Sequence, residues 1–373
     1  MRRVPVDLLR PGMKVGRALY SSSGQLLVNA GTRLTEKVIN RLRLLGVSAI
    51  YVEDGFLDDV EVKDVISEEL RLQALVRVRE FFENPPQGAG RAVITVKAVV
   101  DTVKDLVDEL LSSPKVVVSL VDVRALDDYT FGHSVNVCLL SLLTGISLGY
   151  DRKRLIALGV GALLHDVGKS KIPPEVLQKP GKLTPEEFAL VKSHTVEGYH
   201  LLKKAGIDSS ACVVAHQHHE RYLGQGYPQG LKGKEIHEFA AICGVADVFD
   251  ALTADRCYRR AYPVHEAYEF IAGAGNFLFD YRIVQAFLEN IAAYPVGTVV
   301  RLSSGAVGVV VETKRGATLR PRVRLFFDAE GNRLTPQEID LSEARDLTIA
   351  EVVPEEEWQK MLRVTGASAA EAE

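Results

Sequence analysis

The stretch Leu163-Leu164-His165-Asp166-Val167-Gly168-Lys169 places an imidazole and a carboxylate side by side after the apolar run Leu155 to Leu164. That run reads as a helix, so the pair is delivered into a poorly solvated place. A buried Asp needs a counter-charge, and a metal cation is the most economical one. Adjacent side chains diverge on a helix, so Asp166 could face two cations while His165 serves one. Alone, the pair is better read as a hydrogen-bonded core pair. Four more clusters reverse that reading. His133 stands in Tyr129-Thr130-Phe131-Gly132-His133-Ser134 and His194 in the helical segment Val191 to Gly198. His218-His219-Glu220 follows the apolar run Cys212 to Ala215, and Asp247 lies in the apolar segment Ala246 to Leu252. Five imidazoles and two carboxylates are more than core hydrogen bonding readily satisfies. Mixed nitrogen and oxygen donors suit two divalent transition metals, iron or manganese rather than a thiolate-bound zinc. The remaining histidines, His200, His216, His237 and His265, have no motif around them and are read as ordinary core or surface residues.

The elements that must position these groups fall into zones. All nine histidines lie between positions 133 and 265, so the chemistry is confined to a predominantly helical zone, 115–293. Before it, residues 1–66 carry short strand-like runs (Gln25 to Val28, Ala49 to Val52) and one amphipathic helix, Thr35 to Leu45, capped by Thr35 and stopped by Gly46. This reads as a small α+β module. Residues 67–114 show helical periodicity in two pieces separated at Asn84-Pro85-Pro86. They are read first as packing on the next domain, with dimerisation or signal transmission as the alternative. From 294 to 373 the pattern turns to β, with runs Gly297 to Leu302, Ala306 to Glu312 and Arg322 to Phe327, as in a small barrel, and a frayed tail from Thr365. The fold class expected is mainly α with small terminal modules.

Composition narrows the function classes. A net charge of −4 argues against a general nucleic-acid binder, so an anionic ligand must meet a local basic patch. The four cysteines have no C-x-x-C spacing and read as thiols of a reducing compartment. The apolar stretch Val135 to Leu148 is interrupted by polar residues and too short to span a bilayer. With no signal-peptide pattern after Met1, a cytoplasmic location is expected.

The ordered motifs from about Asp127 to Leu288 resemble the HD-GYP subgroup of HD-domain phosphohydrolases. The matching pieces are Tyr129-Thr-Phe-Gly-His-Ser, His165-Asp-Val-Gly-Lys-Ser-Lys-Ile-Pro, Lys179-Pro-Gly-Lys-Leu-Thr, His194-Thr-Val-Glu-Gly, His218-His-Glu, Gly226-Tyr-Pro and Ala246-Asp-Val-Phe-Asp-Ala-Leu-Thr-Ala-Asp-Arg. Leu9-Arg-Pro-Gly-Met and Gly31-Thr-Arg-Leu-Thr resemble an accessory module that often precedes that domain. The resemblance implies an HD-domain helical bundle that hydrolyses cyclic di-GMP, or a related cyclic dinucleotide, to the linear dinucleotide pGpG and often on to GMP.

It also implies roles. His133, His165, Asp166 and Asp247 would hold one metal, and Asp166, His194, His218 and His219 the other, with Asp166 bridging. Some relatives bind a third metal through a Glu where this chain has Tyr129, so two metals are expected. Two metals can acidify a bridging water, giving the attacking hydroxide, and clamp a phosphate oxygen. Lys169 would neutralise charge in the transition state, and Arg256 and Arg259 would grip the phosphates. Tyr227, in the Gly226-Tyr227-Pro228 turn, would shape the substrate pocket or meet a signalling protein. The family usually has an acidic or amide residue where this chain has Leu223, a departure that touches loop geometry, rate and substrate preference rather than the metal residues. Two other readings remain: a low-turnover cyclic-dinucleotide sensor, and an HD phosphohydrolase of another cyclic or linear nucleotide.

Overall fold

The structure, a computed structural model, describes residues 1–20, 25–47, 49–53, 55–57, 59–60, 64–85, 89–112, 129–254 and 261–364. The chain divides into two compact units: Met1–Asp64 with the segment from Ile291 onward, and Val65–Pro114 with Asp128–Asn290.

In the first unit, β1 (Arg2–Pro5), β2 (Lys14–Val15) and β5 (Ala49–Glu53) form an antiparallel sheet of order β1-β5-β2. Strands β3 (Leu19–Tyr20) and β4 (Leu26–Val28) make a separate ribbon. Helix α1 (Glu36–Leu44) starts where Thr35 Oγ1 accepts from the Val38 amide at 3.3 Å. Its buried Ile39 and Leu42 pack with Val4, Val15, Ile50 and Val52 of the sheet.

The second unit is all helical: α2 (Glu68–Glu83), α3 (Ala89–Ser112), α4 (Tyr129–Ser147), α5 (Arg152–Leu163), α6 (Pro174–Leu177), α7 (Pro185–Lys192), α8 (His194–Lys204), α9 (Ser209–Gln217), α10 (Glu238–Thr253), α11 (Val264–Gly273) and α12 (Tyr281–Leu288). Helices α4 and α10 carry apolar residues on every side, and most of their described side chains are buried, as expected of central helices. Several of their polar residues, among them His133, Asn136, Asp247 and Asp250, are therefore held in the interior. Helices α2 and α3 pack on this bundle. Phe82 meets Phe131 of α4 edge-on at 5.6 Å, and a Cβ on Gly159 of α5 would lie 2.7 Å from Val103 of α3.

The remaining part of the first unit is a five-stranded antiparallel sheet: β6 (Val299–Leu302), β7 (Val307–Glu312), β8 (Arg322–Phe327), β9 (Arg333–Asp340) and β10 (Ile349–Val352), in the order β10-β6-β7-β8-β9. β9 and β10 are its edges, so the described strands form an open sheet rather than the expected barrel. Sequence periodicity missed β9 because its residues are mostly exposed and it contains Pro336, both tolerated on an edge strand. Helix α13 (Glu355–Val364) was missed too. It is held by one fully buried residue, Trp358, whose ring meets Phe56, Phe326 and Phe327. A buried ion pair, Arg2 to Glu355 at 2.7 Å, ties the first strand to this helix. Among the described residues, no helix is long and apolar enough to cross a membrane.

Candidate metal centre

The helical unit brings together seven side chains spread over more than a hundred positions. Asp166, His194, His218 and His219 form one group in which a ligand atom from each lies within 4.8 Å of the others, and His133, His165 and Asp247 form a second. Each sits at a different place in the helical frame. His133 is in the first turns of α4, Asp247 is in the middle of α10, His194 is the first residue of α8, and His218 caps the C-terminus of α9.

The His165-Asp166 pair differs from the helical expectation. Helix α5 ends at Leu163, and the pair occupies the turn before a 3-10 segment, Val167–Lys171. Close packing requires that turn. A Cβ on Gly168 would lie 1.9 Å from the His194 carbonyl oxygen and 2.6 Å from the Gly198 amide, so the turn touches the backbone of α8. Asp166 consequently lies between the two groups. Its Oδ1 is 3.4 Å from His194 Nε2 and 3.8 Å from His218 Nε2. Its Oδ2 is 3.4 Å from His165 Nε2 and 3.8 Å from His133 Nε2.

Hydrogen bonds at the far side of each ring fix the tautomers. His165 Nδ1 is 2.8 Å from the Ala162 carbonyl oxygen, His194 Nδ1 is 2.6 Å from that of Val191, and His218 Nδ1 is 3.1 Å from those of Val214 and Ala215. A carbonyl oxygen only accepts, so in each ring Nδ1 carries the proton and Nε2 presents a lone pair. His194 Nε2 and His218 Nε2 then face each other at 3.4 Å, lone pair to lone pair, with the Asp166 carboxylate beside them. Among the described residues, His165 Nε2 and Asp166 Oδ1 are buried with no hydrogen-bond partner. A cluster of inward donor atoms without protons to share is what a divalent cation satisfies.

The electrostatics run the same way. Burial pushes the His218 imidazole well below its ordinary pKa, helped by the neighbouring imidazoles, and pushes His219 down to about 3. Burial also lowers His194. Asp166 and Asp247 lie well below the usual carboxylate range. Burial opposes their charge, but Lys169 and the histidines around Asp166, and His133 and His219 around Asp247, outweigh it. His133 is the exception among the rings. Burial works against its charge, yet its Nε2 is 3.2 Å from Asp247 and its Nδ1 2.7 Å from Asp250, and these carboxylates carry its pKa up to about 9.

Two residues that sequence reasoning passed over complete this corner. Asp250 Oδ2 takes the outer nitrogen of His133, and its Oδ1 accepts from Asn136 Nδ2 at 2.8 Å. The signal was present as spacing: Asn136 follows His133 by three, and Asp250 follows Asp247 by three, each on an apolar helix.

Lys169 donates to Asp166 Oδ2 and is partly exposed at the rim. Glu220, third of the His218-His219-Glu220 run, accepts from the backbone amides of Gln229 at 2.7 Å and Leu231 at 2.9 Å. Its buried carboxylate therefore clamps the loop that carries Tyr227. A Cβ on Gly226 would meet the Glu220 Cα and Arg221 amide at 2.4 Å, so glycine lets this loop fold back onto the histidine run. The Tyr227 ring lies 4.7 Å from that of His219, at 30°. Leu223 is 45% exposed and bridges to Lys232 on the same loop. Arg256 and Arg259 lie outside the described residues. Tyr129 begins α4, but its side chain is likewise outside them.

Comparison with known proteins matches residues 128–283 to the HD domain and residues 299–361 to the KOW domain associated with the HD domain. The chain is 39% identical over 276 residues, 72% of its length, to a cyclic di-GMP phosphodiesterase of Pseudomonas aeruginosa. It is 38% identical over 165 residues, 44% of its length, to a cyclic di-GMP phosphodiesterase of Thermotoga maritima. It is 36% identical over 160 residues, 43% of its length, to a 3′3′-cGAMP-specific phosphodiesterase of Vibrio cholerae. These matches span 65%, 45% and 37% of the three relatives' own lengths. The His165-Asp166 turn and the Gly226-Tyr227-Pro228 loop both fall inside the stretch that matches the HD domain, and the KOW domain associated with that domain follows it in the chain.

Proposed function

We propose that the chain is a metal-dependent phosphodiesterase that hydrolyses cyclic di-GMP to the linear dinucleotide and on to GMP. The observation that carries this reading is the inward set of unprotonated donors around Asp166, above all the facing Nε2 atoms of His194 and His218. His133, His165, Asp166 and Asp247 would hold one divalent ion, and Asp166, His194, His218 and His219 a second, iron or manganese by donor type. Such ions supply Lewis acidity toward a phosphate oxygen and activate water at neutral pH. The protein does the rest. Asp166 presents one oxygen to each histidine group, the backbone carbonyls hold the rings in register, and Lys169 places a cation at the rim for the phosphodiester. Tyr227 lines the entry, and Arg256 and Arg259 are assigned to the substrate phosphates. The catalytic work belongs to residues 115–293. The parts at 1–66, 67–114 and 294–373 are assigned to positioning or sensing, and the location to the cytoplasm.

The test is metal analysis of anaerobically purified protein, coupled to product analysis from cyclic di-GMP and from the linear dinucleotide. Metal-loaded protein that leaves both uncut would refute the proposal. A second reading, another cyclic dinucleotide as substrate, is favoured by the 36% identity to the cGAMP-specific relative. Faster turnover of 3′3′-cGAMP in the same assay would select it.

Two further results are expected. Asp250→Asn removes the carboxylate that orients and charges His133, so metal affinity at that group should fall by about 10- to 100-fold. Calorimetric titration with Mn²⁺ reads this, and an unchanged isotherm would make Asp250 a packing residue only. Removal of the ions with a chelator should leave stability peaked near neutrality. The His133 pKa, about 9, lies above its ordinary 6.5. Its contribution is therefore full below about 6.5 and is lost as pH rises through about 9. His219, held near 3, works in the opposite direction, because the unfolded chain takes up the proton first. Stability is thus lost as pH falls from about 6.5 toward 3, with His218 adding the same sign. Each side is worth on the order of a few kcal/mol. Thermal melts of chelated protein at pH 5, 7 and 9.5 test this, and equal melting temperatures at all three would contradict it.

A further inference from the structure

We infer that Phe188 and Lys192, on the exposed side of α7, form a nucleobase-stacking subsite beside the metal centre, with Tyr227 as its inner wall. The inference rests on the cyclic-dinucleotide reading above and assigns Phe188, which none of the motifs around the histidines contains, together with Lys192 just ahead of His194.

Access to the centre runs past its least buried members. The side chains of His219 and Asp247 retain 18% and 12% exposure, whereas those of Asp166 and His165 retain 1% and none. On that open side the aromatic rings follow one another outward. Tyr227 lies over His219 at 4.7 Å, and Phe188 meets Tyr227 edge-on, 6.4 Å away at 77°. Phe188 is 47% exposed, so much of its ring is open to solvent. One helical turn on, the Lys192 ammonium sits 5.1 Å from the Phe188 ring and 5.9 Å from that of Tyr227.

This wall is rigidly tied to the metal-side residues. Ser193 both ends α7 and begins α8, and the Val191 carbonyl oxygen holds His194 Nδ1. Helix α7 is itself anchored at its start by the reciprocal hydrogen bonds of Thr184 and Glu187. Phe188 is therefore preorganised relative to His194. An exposed flat ring with a cation over it, two ring contacts from His219, suits a purine whose phosphate lies at the histidines. The base gains a stacking face, and the ammonium meets phosphate or base carbonyl charge.

The experiment compares wild type with Phe188→Ala, Phe188→Leu, Phe188→Trp and Lys192→Met on cyclic di-GMP and on 4-nitrophenyl methyl phosphate, a diester too small to reach from the histidines to Phe188. Phe188→Ala should raise KM for cyclic di-GMP about 5- to 100-fold, the counterpart of a stacking contact worth roughly 1–3 kcal/mol. Its kcat, bound metal, melting temperature and rate on the small diester should stay at wild-type values. Phe188→Leu, which keeps bulk without a flat face, should match the alanine variant. Phe188→Trp should keep the wild-type KM, and Lys192→Met should raise it less than Phe188→Ala does. Equal KM in wild type and Phe188→Ala overturns the inference while leaving the proposed reaction standing. So does a parallel loss on the small diester, which would mark distortion of the centre. Wild-type protein that cleaves the small diester but no cyclic dinucleotide defeats the substrate reading, and this inference with it.

Discussion

Asp166→Ala is expected to bring hydrolysis of cyclic di-GMP below detection, a fall of about 10⁴-fold or more by analogy with loss of one member of an interdependent catalytic group. The reason lies in where its oxygens point. Oδ1 faces His194 and His218, and Oδ2 faces His165, His133 and Lys169, so one substitution takes an oxygen donor from both groups. It also removes the carboxylate common to both groups, leaving His194, His218 and His219 without one and Asp247 as the only acid beside His133 and His165 within these two groups. Bound metal should fall with activity. The fold should persist, because the surrounding helices are joined by apolar side chains such as Leu163, Val167, Val214 and Ala246, all fully buried. Turnover, metal content and circular dichroism on the same preparation give the answer. A variant with full metal content and residual turnover near wild type would remove Asp166 from its shared position.

Gly168→Ala should be the most disruptive of the conservative changes. The new methyl would sit 1.9 Å from the His194 carbonyl oxygen and 2.7 Å from its carbonyl carbon. Those are backbone atoms in the first turn of α8, so no side-chain rotation relieves the clash. Either the turn holding His165 and Asp166 moves or α8 does, and in both cases His194 separates from Asp166. Overpacking of this kind costs about 3 kcal/mol or more. For a unit of this size that corresponds to a fall in melting temperature of roughly 6–12 °C. Metal content should drop as well. A melting curve within a degree of wild type, with metal retained, would mean that the contact relaxes freely.

Much of the architecture was readable in advance where the signal is local. Thr35, with the periodic residues after it, marks α1, and the Asn84-Pro85 step marks the end of α2, because caps and prolines act within a few residues. Strand β9 and helix α13 were not readable. An edge strand buries too little to show alternation, and α13 is secured by one tryptophan whose partners lie in Phe56 and the β8 strand. Glu220 illustrates the same limit at the site. Its place beside two histidines suggests metal chemistry, yet its carboxylate holds the amides of Gln229 and Leu231.

The kinds of donor, and the chemistry they suit, are written in the chain as imidazoles and carboxylates set within or just beyond apolar helices, where water cannot satisfy them. Which of them share a neighbourhood is a matter of helix packing, since residues from His133 to Asp247 meet only after α4, α5, α8, α9 and α10 have closed around them. The tautomers of three rings are set locally, by backbone carbonyls three or four residues earlier that put the proton on Nδ1 of His165, His194 and His218, whereas it takes tertiary contacts with Asp250 and Asp247 to favour a charged His133. The charge of His133 thus depends on carboxylates a few ångströms away that lie more than a hundred positions along the chain, and no reading of its sequence neighbours could supply it.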